Sequence, residues 1–181
     1  MTSALLLSAG LGAVPGFFEA NGRPASGAPR VGFVAAATSI YPSAPWVDAD
    51  RAALTGFGLD LVEIDLTVLD GDALAAAVTG LDAIYLAGGN TFVLLHHLRR
   101  SGLDELLPQL LEDGMLYLGA SAGAAVAGSD IEPLGLMDDP AEAPQLDSTR
   151  GLGLVDAVLL PHADGQLPPY PSSLVDKIVS K

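Results

Sequence analysis

Five short apolar runs alternate with helical patterns along this chain, and that alternation leaves it few folds to choose from. The runs are "ALLLSAG" at 4–10, "RVGFVAAA" at 30–37, "LDLVEIDL" at 59–66, "DAIYLAGG" at 82–89 and "MLYLGA" at 115–120. A strand with one face in water alternates apolar and polar residues. Near-continuous apolar strands belong instead to a parallel sheet covered on both faces. The first strand is expected over Ser3–Ala9, followed by a Gly/Pro-rich stretch. Helical spacing covers Asp48–Phe57, about Asp72–Val78, "TFVLLHHLRRSG" up to Gly102, and "LDELLPQLLEDG" with Pro108 in or near its first turns. "GAAVAG" begins a helix directly after the fifth strand, a loop rich in Asp, Pro and Gly fills 129–153, and "LVDAVLLPHAD" (154–164) reads as one more strand. The fold class is therefore α/β, a doubly wound, mostly parallel sheet with helices on both faces.

With 181 residues the chain is expected to form a single domain over 1–181. Half its residues are hydrophobic and 17% charged, a balance that builds a core rather than a disordered coil. The formal net charge of −14 repels nucleic acid and anionic membranes, so neither is an expected partner. Cysteine is absent, which removes disulfides, thiolate metal ligands and a cysteine nucleophile. The three histidines, His96, His97 and His162, are too few for a histidine-rich metal centre. "MTSALLLSAGLGAV" has no basic residue ahead of its apolar stretch and reads as a first strand rather than a signal peptide. No apolar run approaches bilayer length, and a soluble, cytoplasmic protein is expected.

In open α/β sheets ligands bind beyond the carboxyl ends of the strands. Three features converge there: Gly88-Gly89-Asn90-Thr91 after the fourth strand, Gly119-Ala120-Ser121-Ala122-Gly123 after the fifth, and Pro161-His162 after the last. The second matches G-x-S-x-G, a nucleophile elbow, in which a serine on a sharp strand-to-helix turn needs small neighbours. The helix that follows turns its N–H groups toward the same point. Ala122 N–H is one candidate oxyanion donor, and a backbone N–H of Gly88-Gly89 the second. The same short motif also occurs where a turn merely packs closely or binds a phosphate. A serine hydroxyl is inert without a base, and His162 has the right position for one. His96 and His97 lie mid-helix, toward solvent and the sheet edge. Residue spacing does not choose a third triad member among Asp130, Asp138, Asp139, Asp147 and Asp164.

"AGGNTFVLLHHL", "LYLGASAGAAVAG" and "LGLVDAVLLPHAD" together resemble the peptidase E (aspartyl dipeptidase) family of serine peptidases, related to cyanophycinases. The resemblance runs from about Ser3 to Asp164. It implies a sheet like that of class I glutamine amidotransferases, with Ser121 as nucleophile and His162 as general base. It also implies Gly89 and Ala122 as the oxyanion hole, Asn90 and Thr91 as shapers of the substrate pocket, and Asp138 as charge-relay acid. The implied activity is release of the N-terminal residue from small peptides, with no cofactor and no metal. The alternatives are a binding module without turnover and a hydrolase of isoaspartyl or cyanophycin-type bonds. Family members continue through further strands, so the chain is expected to lack the family's C-terminal strands. The exposed sheet edge then predicts a partner subunit, a homodimer. Aspartyl dipeptidases carry a basic residue after the histidine, whereas 165–173, "GQLPPYPSS", has neither Arg nor Lys, which argues against strict aspartate preference.

Overall fold

The computed structural model describes residues 2–23 and 27–180. Its elements in chain order are β1 (Ala4–Leu7), α1 (Val14–Ala20), β2 (Arg30–Val34), α2 (Pro45–Gly56), β3 (Asp60–Glu63) and α3 (Gly71–Val78). These are followed by β4 (Ala83–Leu86), α4 (Thr91–Ser101), α5 (Leu103–Glu112), β5 (Leu116–Ala120), α6 (Ala122–Ala125) and α7 (Ser172–Val179). All strand pairs are parallel, in the order β1-β5-β4-β2-β3.

The pleat sends alternate residues to opposite faces. Ile84 and Leu86 of β4 join Tyr117 of β5 in one core, where α3, α4 and α5 bury Leu74, Leu94, Leu98 and Leu107. Ala83, Tyr85 and Leu118 enter the other core, beneath Val14 and Phe18 of α1 and Val47 and Leu54 of α2. Two buried faces explain why the strands read as unbroken apolar runs. The doubly wound α/β reading holds.

The structure adds detail at two places and overturns one expectation. The Gly/Pro-rich stretch after β1 contains helix α1, because Pro15 sits in the first turn, where its missing N–H costs nothing. Pro108 lies at the sixth position of α5, in its second turn. The expected strand at 154–164 is irregular. Its backbone bonds run to the segment after α6, with Ser129 N–H donating to Ala157 O at 2.9 Å and Val155 N–H to Ala127 O at 3.1 Å. Among the described residues the sheet ends at β1 and β3, so the edge nearer His162 is β1 itself.

Candidate active site

The carboxyl ends of three adjacent strands, β1, β5 and β4, build the site. At the end of β5 the chain turns at Ser121 with φ 50° and ψ −109°, and α6 starts at the next residue. Ser121 N–H donates to Leu7 O of β1 at 2.8 Å, while Ser121 O accepts from Ala124 and Ala125 N–H at 2.9 Å each. The buried Tyr117 hydroxyl donates to Gly123 O at 2.6 Å and ties the far side of the turn to the strand below it. Space dictates the small residues. A Cβ on Gly123 would penetrate Leu86 O, one on Gly119 would penetrate Gly123 O, and one on Gly88 would stand 3.1 Å from Ser121 Cβ.

His162 closes the pair. Its Nε2 lies 2.9 Å from Ser121 Oγ. Its backbone N–H donates to Ser8 Oγ, just past β1, at 3.3 Å. The ring stacks on Tyr170 with centroids 5.4 Å apart and planes 12° from parallel. His162 has φ 58°, and among the described residues Ser121 and His162 are the two non-glycine residues with positive φ. Such conformations cost about 1–3 kcal/mol each and persist where the surroundings over-determine them. Among the described residues this left-handed strain falls on one side-chain pair.

The neighbouring β4 turn is equally tight. Gly89 has φ 150°, and a Cβ there would stand 2.5 Å from Ala37 O. The N–H groups of Gly89 and Ala122 meet no backbone or side-chain acceptor among the described residues. Asn90 caps α4, its Oδ1 accepting from Phe92 N–H at 2.9 Å and Val93 N–H at 3.1 Å. Its Nδ2 donates to Asp139 O at 3.0 Å. Asp138 Oδ2 accepts from Thr91 N–H at 2.9 Å and Thr91 Oγ1 at 2.6 Å. Asn90 and Thr91 are both 2% exposed, so they bear on the site by holding the 138–139 loop against the start of α4.

The sequence profile of peptidase family S51 matches residues 20–179. This chain belongs to family S51. An uncharacterized peptidase of Listeria innocua is 39% identical over 132 residues, covering 73% of this chain and 63% of the relative. A peptidase E of Streptomyces coelicolor is 35% identical over 123 residues, 68% of this chain and 46% of that protein. The chain thus spans less than two thirds of the length of these curated relatives. The crystal structure of a candidate peptidase E protein from Listeria monocytogenes EGD-e superposes with TM-score 0.88 at 32% identity, covering 99% of this chain and 87% of the other. A peptidase from an acI-B1 actinobacterium shares the fold, with TM-score 0.67 at 21% identity.

The other acids considered for this S51 member have local duties. Asp139 accepts from Ala141 N–H, Asp130 from Glu132 N–H and Asp164 from Gln166 N–H, at 2.9, 2.8 and 3.1 Å. Asp147 pairs with Arg99 at 3.7 Å. None of the five hydrogen-bonds to His162. Two act on it through space: burial lowers the imidazole pKa, and the Asp164 and Asp138 charges partly restore it. Burial raises Asp138, against the lowering effect of its Thr91 bonds. His96 and His97 are half-buried on α4, and His97 Nε2 faces Ser39 Oγ at 3.1 Å rather than the elbow. Among the described residues no three His, Cys, Asp or Glu side chains cluster as metal ligands, and no helix is long and apolar enough to cross a membrane.

Sequence reading missed Tyr170 and Trp46. Tyr170 lies in "PPYPSS", where no periodicity marks a contact, and the Trp46 indole N–H donates to Gly88 O at 3.4 Å across 42 residues of chain.

Proposed function

We propose that this chain is a serine peptidase that releases the N-terminal residue of small peptides. The observation that carries the reading is the 2.9 Å contact between Ser121 Oγ and His162 Nε2, made by the two non-glycine residues with positive φ among the described residues. An unprotonated Nε2 accepts the hydroxyl proton as Oγ attacks the scissile carbonyl carbon. The protonated imidazole then delivers that proton to the leaving amine, leaving an acyl-enzyme on Ser121. Water, deprotonated by the same imidazole, hydrolyses the ester and returns the serine. The free N–H groups of Gly89 and Ala122 are the assigned oxyanion donors. Because α6 is a single turn, these are individual dipoles rather than the end of a long macrodipole.

Asp138 is assigned to stabilise the imidazolium through space, since its carboxylate bonds to Thr91. Asp138→Asn should therefore lower kcat about tenfold, far less than the roughly 10⁴-fold that follows when a directly bonded triad acid is neutralised. A kcat loss approaching 10⁴ would mean that Asp138 swings onto His162 in the working enzyme.

The pH profile follows from burial. A lowered imidazole pKa keeps His162 unprotonated at more acidic pH, so the acid limb of kcat/KM should have its midpoint below the ordinary value of about 6.5. Measuring kcat/KM from pH 4.5 to 8 checks this, and a midpoint above 6.5 would contradict it.

Assay of a dipeptide panel, with Ser121→Ala in parallel, tests the activity itself. Turnover by the parent that vanishes in the variant supports the peptidase. The second reading, a ligand-binding module without turnover, is favoured by one observation: His162 Nδ1 has no hydrogen-bond partner among the described residues. A folded parent that binds peptides without cleaving them would select it. Isoaspartyl dipeptides in the same panel test the remaining hydrolase alternative.

A further inference from the structure

We propose that the aromatic ring of side chains around Ser121 receives a cationic residue, lysine or arginine, on the N-terminal side of the scissile bond. The proposal rests on the peptidase reading and names the substrate class of that site.

The ring can be followed residue by residue. Trp46 donates its indole N–H to Gly88 O at 3.4 Å, and Gly88 backs directly onto Ser121. The Tyr41 ring meets the Trp46 ring edge-on, with centroids 5.8 Å apart. Beside Ser121 Oγ, Tyr170 lies flat on His162. The Asp138 charge acts on a tyrosine of each half of the ring. Burial and the Asp138 charge raise both tyrosine hydroxyls, that of Tyr170 to about 12, and Tyr41 itself acts on Tyr170. The phenols are therefore uncharged at neutral pH. Tyr41 and Trp46 remain 39% and 44% exposed, open to a ligand rather than buried in the core.

Charge decides what such a ring holds. Aromatic faces attract cations, more strongly as water is excluded. The charged groups acting on Tyr41, His162 and Tyr170 are, among the described residues, the carboxylates Asp138, Glu142 and Asp164. No lysine or arginine is among them, and 165–173 contributes neither. An acidic substrate side chain would meet only like charge here, whereas an ammonium or guanidinium group meets aromatic faces and carboxylates together.

The test uses the full chain carrying Ser121→Ala, with binding of lysyl-leucine, norleucyl-leucine and aspartyl-leucine read by calorimetry. Norleucine keeps the length and the α-ammonium of the lysine peptide but loses the side-chain charge. Lysyl-leucine should bind about tenfold more tightly than norleucyl-leucine, with aspartyl-leucine weakest. Adding Trp46→Ala or Glu142→Gln should bring the ratio of lysyl-leucine to norleucyl-leucine affinity to about one, whatever either change does to the two peptides in common. Equal binding of the first two peptides, preference for the aspartyl peptide, no binding of any, or an advantage that survives both added substitutions would overturn the proposal. Since binding is read without the nucleophile, absence of turnover by the parent would overturn the peptidase reading alone.

Discussion

Ser121→Ala and Ser121→Gly should both lose peptide hydrolysis by about 10⁴-fold or more, yet differ in stability, with the glycine variant the more stable. Both remove the hydroxyl and its 2.9 Å contact with His162, so that loss cancels between them. What remains is the backbone. At φ 50° a side chain of any size crowds its own peptide groups, whereas glycine occupies that region freely. The strain relieved is about 1–3 kcal/mol, less the 0.5–1 kcal/mol that glycine's extra freedom costs on folding. A net gain of about 1 kcal/mol corresponds to roughly 2–4 °C in melting temperature for a domain of this size. Scanning calorimetry of the two variants reads it directly. Equal melting temperatures would mean that the turn stores no strain at Ser121, and retained turnover in either variant would remove Ser121 from the chemistry.

The same physics explains which parts of the site were legible in the sequence. The strands announced themselves because both faces of the sheet are buried, which makes Ala83–Leu86 and Leu116–Ala120 uniformly apolar. The elbow was legible because close packing excludes side chains, and a run of Gly and Ala around one Ser is the direct record of that exclusion. Long-range contacts leave no such record. The stacking of Tyr170 on His162 and the Trp46 bond to Gly88 depend on where irregular segments travel, and no period or spacing rule encodes that path. The 154–164 segment misled for a related reason. Its apolar residues Leu154, Leu159 and Leu160 do pack against the core, so they look like a strand, but the backbone bonds run to the turn beyond α6. Burial fixes the pattern of residue types; it does not say which backbone a segment pairs with.

Asp138 shows a different limit. Residue type and position in the chain left five acids open, and the fold separates them by what each already does. Four serve turns or a surface ion pair, and the fifth joins the 138–139 loop to the start of α4. That bond keeps Asp138 near the histidine without spending it there. A carboxylate held by its own partners is a fixed charge, and a fixed charge nearby favours the imidazolium without having to move during the reaction.

Gly123→Ala should be the most damaging single-methyl change at the site, through stability rather than chemistry. The added Cβ would collide with Leu86 O, a backbone atom of the central strand β4, which has no rotamer through which to yield. Relief would require α6 to lift off the sheet. That movement would disturb the Tyr117–Gly123 hydrogen bond and the buried Ala122 and Ala125 contacts in the same step. Overpacking of this kind costs about 3 kcal/mol, or roughly 6–12 °C in melting temperature. Gly12→Ala is the matched control, since nothing lies within 4 Å of a Cβ placed there, and it should shift melting by less than about 2 °C. Turnover per folded molecule should also fall in Gly123→Ala if Ala122 N–H is the oxyanion donor proposed above, because lifting α6 moves that group. A variant that melts with the parent would show that the elbow has more room than its packing implies, and the small residues around Ser121 would then need another reason.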